Sequence, residues 1–401
     1  MILPEGAAPE TRLLIIARAL RAFVDGFICV LLPAYLLALG LGAFEVGILS
    51  AATLLGSASL TLLLGAHGHR FHHRRLLLGA ALLMATTGIL FAGLSSFWPL
   101  LLVAFVGTLN PSSGDVSVFL PLEHARLVEA AQGDARTHLF ARYTLAGALF
   151  AALGSLAAGV PELLAGQGWG KADALRVMFL LYALAGGVVW LLYRRIPETP
   201  PHERPTTPAP LQESRGIVIR LAALFSIDAF AGGLVLNSLL ALWLFERFDL
   251  SLAAAGLFFF WAGLLSAFSQ LAAPLVARRI GLINTMVFTH IPSSLFLILA
   301  ALADSLPWAL GLLLARAALS QMDVPTRSAF VMAVVTPPER AAAASFTAVP
   351  RSLAAAVSPS LGGALIAAGW LAAPLIACGV LKIAYDVAIW RAFRGVAPRG
   401  T

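Results

Sequence analysis

The feature that most limits this chain is a succession of apolar runs, each about as long as a bilayer is thick. A spanning helix needs roughly 20 mostly apolar residues, and the 401-residue chain offers about twelve such runs. In the first half they lie near 13–39, 44–65, 76–95, 98–121, 140–160 and 174–193. In the second half they lie near 218–243, 250–274, 282–303, 306–335, 343–368 and 371–393. Composition agrees: 60% of residues are hydrophobic and 12% charged, against about 25% charged in a soluble protein. The expected fold is an all-α membrane protein with about twelve transmembrane helices in two pseudo-symmetric six-helix bundles. The net charge of +7 is then no sign of nucleic-acid binding, because basic residues of membrane proteins collect on cytoplasmic loops.

Residues 194–217 divide the runs. Their Pro- and charge-rich stretch, Tyr193 to Arg215, can neither continue a helix nor enter a bilayer. It reads as a cytoplasmic linker between a bundle at 1–193 and one at 218–401. With the N-terminus in the cytoplasm, sixteen arginines face inward and only Lys171, Arg176 and Arg247 face outward. That bias supports two cytoplasmic termini. The first residues lack a basic stretch, short apolar run and cleavage site, so the first run is expected to stay as a helix. Cys29 and Cys378 sit in separate apolar runs and read as small buried hydrophobes, neither disulfide nor metal ligands.

The halves resemble each other. "AFVDGF" in the first span matches "FSIDAF" in the seventh, aligning Asp25 with Asp228. The second and eighth spans both end in a basic turn, and Arg142 of the fifth aligns with Arg351 of the eleventh. Two parallel six-helix repeats are a transporter architecture. On these residues the chain resembles the major facilitator superfamily over nearly its whole length. Gly65, Gly68, Arg70 and Arg74 fit that superfamily's loop signature after the second span, with His69 and His72 departing from it. Arg279 and Gly281 fit it in the second half, where Arg278 departs. The segment "QMDVPTRSAFVMAVVTPPERAAA" looks like one common in uncharacterised bacterial members. The resemblance implies that spans one, four, seven and ten line a central cavity.

Ionisable residues at membrane depth cost about 2.5–3.5 kcal/mol each on insertion scales, and here they concentrate on those four spans. Span one has Arg21 and Asp25; span four has Asn110 and Asp115; span seven has Asp228 and Asn237; span ten has Arg316, Gln321, Asp323 and Arg327. Arg21 with Asp25, and Asp323 with Arg327, are spaced i,i+4 and could each form a lock within one helix. Asp228 shows no partner in its own helix. Asp25 and Asp228 therefore lead as proton-coupling or substrate-binding acids, ahead of Asp323, Arg316, Arg327, Asn110, Asn237 and Gln321. Asp115 with Arg142 is a candidate inner gate; Arg21, Arg351, Gly65, Arg70, Arg279 and Gly281 are further gating candidates. Pro111 with Gly114, and Pro325, should kink spans four and ten.

Three other features have plainer readings. His67, His69, His72 and His73 lie beside arginines that oppose metal binding, and a basic anchor to anionic lipid is preferred. Lys382 and Asp386 are i,i+4 on the last span, which in this superfamily tends to be peripheral, and read as a mutually neutralising pair. His290, before Pro292, could be a proton site, but such a lone histidine is more often hydrogen-bonded and structural. There is no nucleophile elbow, P-loop or metalloprotease motif, so neither enzyme activity, cofactor nor metal is expected. The expectation is a monomeric, proton-coupled secondary transporter of a small molecule in a bacterial inner membrane, leaning to efflux. Uptake or exchange of an anionic metabolite, and a transporter-like sensor that moves nothing, are the alternatives.

Overall fold

The computed structural model describes residues 8, 10–112, 117–198 and 211–395, without the side chains of His69, Asp134 and Ala341. Within them every regular element is helical. In the first bundle these are α1 (Thr11–Ala38), α2 (Ala43–His67), α3 (His73–Gly93), α4 (Phe97–Val106), α5 (Phe119–Ala130), α6 (Gly133–Leu156), the short α7 (Val160–Gly166) and α8 (Lys171–Arg194). In the second they are α9 (Arg215–Gly233), α10 (Asn237–Phe248), α11 (Leu252–Ile280), α12 (Leu282–Ala301), α13 (Leu306–Ser320), α14 (Asp323–Val334), α15 (Arg340–Ala367) and α16 (Ala373–Phe393). Among the described residues, eight helices are long and apolar enough to cross a membrane. The other four spans are α1 and α15, which carry charges and prolines, and spans four and ten, which are broken.

The breaks differ from the kinks expected. Span four does not bend at Pro111; it stops at Val106 and resumes at Phe119. Asn110 Oδ1 accepts from the Ser112 backbone N–H at 3.1 Å and its hydroxyl at 2.8 Å. Such an asparagine turn offers the backbone an alternative to the helix, and Pro111 supplies no N–H to continue it. Gly114 and Asp115 lie outside the described residues, so neither that kink nor the Asp115–Arg142 gate is placed. Span ten breaks at Gln321 and Met322, before Pro325. Pro325 sits in the first turn of α14, where a missing N–H costs nothing. Span seven, expected to be continuous over 218–243, is interrupted between α9 and α10 after Gly232 and Gly233, residues that weaken a helix by about 1 kcal/mol each.

The helices meet at small residues, as expected where lipid supplies no hydrophobic drive for association. A Cβ at Gly26 would lie 2.0 Å from the Ala151 carbonyl of α6, and one at Gly154 1.8 Å from the Phe23 carbonyl of α1. Between bundles, a Cβ at Gly363 of α15 would lie 2.7 Å from Gly47 Cα of α2.

The end of the linker is pinned. Glu339, in the turn before α15, accepts backbone N–H bonds from Gln212 (2.8 Å), Glu213 (3.0 Å) and Ser214 (2.8 Å). These donors hold its carboxyl down at about 2, from an ordinary 4.5. A carboxylate lowered on folding stabilises fully above its unfolded value and loses that contribution as pH falls through the folded one. Docking of the linker should therefore hold above pH 4.5 and weaken progressively toward pH 2. Limited proteolysis should show Glu339→Gln cut in the linker at neutral pH, at a rate the unaltered protein reaches only in acid.

Candidate functional site

Among the described ionisable groups at membrane depth, two clusters stand out, one per bundle. In the first, Arg21 of α1 donates to Glu123 of α5, not to Asp25 one turn along its own helix. Tyr143 of α6 and Tyr193 of α8 also donate to that carboxylate, the latter at 2.6 Å. Glu123 is fully buried and the Arg21 guanidinium lies 4.0 Å from the Phe119 ring centroid. The i,i+4 lock expected of Arg21 is thus replaced by a lock between spans one and four. Asp25 is buried on the same helix face, a secondary charge neighbour of Arg21.

The second cluster overturns the expectation that Asp228 stands alone. Asp228 of α9 accepts from Lys382 of α16 at 2.7 Å on one oxygen and from Arg327 of α14 at 3.1 Å on the other. Arg327 also donates to Asp323, one turn before it. Lys382 does not pair with Asp386. Its Nζ lies 3.3 Å from Nε2 of His290 on α12, while His290 Nδ1 is 3.1 Å from both oxygens of Asp386. An i,i+4 spacing makes a pair available; here Asp228 of α9 takes Lys382, and His290 of α12 takes Asp386. The last span is accordingly not peripheral at this level: Asp386 is fully buried.

The neighbours assign the imidazole protons. An ammonium can only donate, so Nε2 accepts from Lys382, and Nδ1–H donates to Asp386. With His290 neutral, Arg327 and Lys382 face three carboxylates, Asp228, Asp323 and Asp386. This inner cluster is one proton short of neutrality.

Arg316 and Arg351 stand differently. Arg316 is half-buried near the middle of span ten, and Arg351 is exposed near the middle of span eleven. Among the described residues neither lies within salt-bridge distance of a carboxylate.

Away from the clusters, the bundles are tied together on the face opposite the chain termini, here called the distal face. Ser238 N–H at the start of α10 donates to the Pro111 carbonyl (3.0 Å), and Asn237 Nδ2 to the Ser112 carbonyl (2.9 Å). The Ser50 and Ser238 hydroxyls are 3.2 Å apart. The breaks in spans four and seven therefore bond to each other. At the distal surface Glu162 of α7 accepts from the first backbone N–H groups of α11, Leu252 at 2.6 Å and Ala253 at 3.2 Å. A carboxylate there satisfies orphan donors and complements the helix dipole.

The remaining candidates sit apart. Gln321 accepts from Gln270 at 3.4 Å. Gly65 lies in the last turn of α2, Arg70 is exposed just beyond that helix, Arg279 is exposed in the last turn of α11, and Gly281 turns between α11 and α12 with φ of 86°. Arg142 is half-buried on α6. Sequence reasoning missed Glu123, Tyr143, Tyr193, Glu162 and the third break. Glu123 had one available signal: it lies just past the run at 98–121, and a break at Asn110–Pro111 carries the span far enough to submerge it.

Two bundles of six spans with a polar seam between them narrow the comparison, and the Major Facilitator Superfamily profile matches residues 14–322. The chain belongs to the Major Facilitator Superfamily. An uncharacterized membrane protein of Saccharomyces cerevisiae, YJR124C, is 25% identical over 426 residues, covering 97% of this chain and 95% of the relative. Among solved structures, a bacterial homologue of the human lysosomal transporter Spinster, inward-facing and occupied, superposes with a TM-score of 0.77 at 16% identity, over 99% of this chain and 100% of that one. A D-xylose–proton symporter gives 0.73 at 15% identity, over 96% and 98%. These structures share the fold of this chain, and membership of the superfamily makes it a multi-pass membrane protein of a transporter family.

Proposed function

We propose that this superfamily member is a proton-coupled transporter in which His290, held between Asp386 and Lys382, takes the coupling proton. The observation that carries the reading is the contested Nε2. Protonation at Nε2 would set two N–H donors against each other across 3.3 Å, and Lys382 must give way. Asp228, 4.0 Å from Nε2, is the acceptor the new N–H would turn to. Every charged or titratable group facing the imidazole takes part: Asp386, Lys382 and Tyr385 from α16, and Asp228 from α9 with Arg327 behind it. Asp228 lies on α9, upstream of the break whose far side seals the distal face, so a shift of α9 is passed to that seal. The D-xylose–proton symporter shares the fold, which is compatible with coupling of this kind.

The arginine bias supports two cytoplasmic termini, and the proposed membrane is a bacterial inner one. The distal face is then the outer one and the state described is inward-facing. Export of a hydrophobic or cationic compound, the direction favoured by the sequence, fits the cluster less well where the compound is a cation, because Asp228 and Asp323 are already paired with cations.

The test needs no substrate. A reporter cysteine, Ser50→Cys, sits at the seal, while native Cys29 and Cys378 are buried. In proteoliposomes, maleimide labelling from outside should rise severalfold between pH 8 and pH 5.5 and be flat with pH in His290→Gln. An unchanged pH response in His290→Gln removes His290 from the coupling role.

A further inference from the structure

We propose that a groove on the lipid-facing side of the bundle boundary holds one acyl chain of a phospholipid from the distal leaflet, and that this chain favours the closed distal face. In the orientation proposed above that leaflet is the outer one, and the effect on closure rests on the transporter reading given there. The groove has a volume of about 570 Å³, within the roughly 300–1,000 Å³ of sites that hold small ligands. α2, of the first bundle, packs against both α4 and α15 and forms the floor, where Ala51 and Ala52 leave room. Trp98, Leu102 and Phe105 of α4 make one wall, and Val357 of α15, in the second bundle, the other. These four wall residues are exposed.

The lining selects the occupant. Apart from the Trp98 indole at the rim, the one polar side chain among the described residues that line it is Ser360, whose hydroxyl donates to the Val357 carbonyl of its own helix at 2.6 Å. A polar solute would find no partner there, and burying an unpaired polar group costs free energy. Depth points to one leaflet. Four exposed tryptophans, Trp98, Trp169, Trp308 and Trp370, stand at distal helix ends, and such indoles sit at the level of the headgroups. From Trp98 to Phe105 the groove descends about 10 Å at 1.5 Å per residue, inside the roughly 15 Å of hydrocarbon that one leaflet supplies. A phospholipid with its headgroup beside Trp98 lays one chain along this wall.

The groove also crosses the boundary that alternating access must move. It runs beside the contact in which a Cβ at Gly363 would lie 2.7 Å from Gly47 Cα, and its floor residue Ala51 follows Ser50 of the seal. Opening the distal face draws α15 from α2 and parts the two walls. A chain touching both walls binds the closed state better, and shifts the equilibrium by that difference in affinity. Opening must then weaken its hold by the same factor.

The experiment uses the full-length protein in phosphatidylcholine proteoliposomes with a trace of phosphatidylcholine that carries a photoactivatable diazirine midway along one acyl chain. After irradiation, attachment sites are mapped by peptide mass spectrometry. Groove residues should label severalfold more than Leu180 and Leu257, exposed in the distal halves of α8 and α11. Ala52→Phe, which fills the floor, should lower groove labelling severalfold and leave those two positions unchanged. Leu102→Ala, a change on the lipid-exposed wall, should lower it too, and should raise maleimide labelling of the Ser50→Cys reporter severalfold at pH 8. The proposal is overturned if groove and comparison residues label alike, as a shell of bulk lipid would, or if both variants keep the full labelling. It is overturned also if excess palmitate abolishes the labelling, which would make the occupant a free fatty acid, or if Leu102→Cys joins two copies under oxidant, which would make it a second chain. An unchanged Ser50→Cys rate in Leu102→Ala rejects the effect on closure. Absent groove labelling with the Ser50→Cys pH response intact rejects the lipid site alone; loss of that response with groove labelling intact rejects the coupling alone.

Discussion

Asp228→Ala is expected to be the most damaging single substitution in the second bundle. It removes the one carboxylate shared by Arg327 and Lys382 and leaves both cations buried with fewer partners. Removing one member of a buried pair costs about 3–5 kcal/mol, most of it the desolvation of the charge left behind. Thermal unfolding in detergent should show a large drop in Tm or no folded protein. Lys382→Met alone should cost less, because Asp228 keeps Arg327, and the double variant Asp228→Ala with Lys382→Met should recover part of the loss. Non-additivity of this kind is what a double-mutant cycle measures for groups in contact. If Asp228→Ala unfolds at the same temperature as the unaltered protein, the cluster is not the lock described.

Gly363→Leu should leave the bundles folded and stop the protein from closing its distal face. A Cβ at Gly363 would lie 2.6 Å from the Ala43 carbonyl and 2.7 Å from Gly47 Cα. Both are backbone atoms of α2, in the other bundle, with no side chain to swing aside. Overpacking of this sort costs about 1–3 kcal/mol, and the upper figure shifts a gate by about a hundredfold. Because the contact lies between bundles, the chain can escape it by rocking open. The Ser50→Cys reporter should label rapidly at every pH in Gly363→Leu, with transport lost and secondary structure unchanged. Glu162→Gln should move labelling the same way but less, since an amide oxygen still accepts from the N-terminus of α11 without the charge. Slow, pH-dependent labelling in Gly363→Leu would place the seal elsewhere.

These outcomes divide along what each residue's environment is made of. Residues whose partner is the bilayer were legible in advance. The apolar runs follow from hydrophobic length, and each corresponds to a helix or helix pair among the described residues; the superfamily was legible from the repeats and the loop signature. Lipid is a uniform partner, so local sequence is enough to predict the response to it. The loop signature and the Asp25/Asp228 alignment were legible for the same reason, being patterns along the chain.

Residues whose partner is another residue were not. Arg21 had Asp25 one turn away and chose Glu123, 102 positions on; Lys382 had Asp386 one turn away and chose Asp228, 154 positions back. A helical spacing of four makes a contact geometrically available, but at membrane depth each charge goes to the site with the most donors or acceptors, and helix packing decides which those are. The breaks in spans four and seven carry the same lesson. Asn110, Pro111 and the Gly232–Gly233 pair mark where a helix is weak, yet that the freed backbone groups of one break serve the other appears only when the bundles are brought together. Membrane insertion, span number and family were thus written in the order of residues. The pairing of Asp228, the position of His290 between two carboxylates and a cation, and the two arginines without acids arose from the packing of helices distant in sequence.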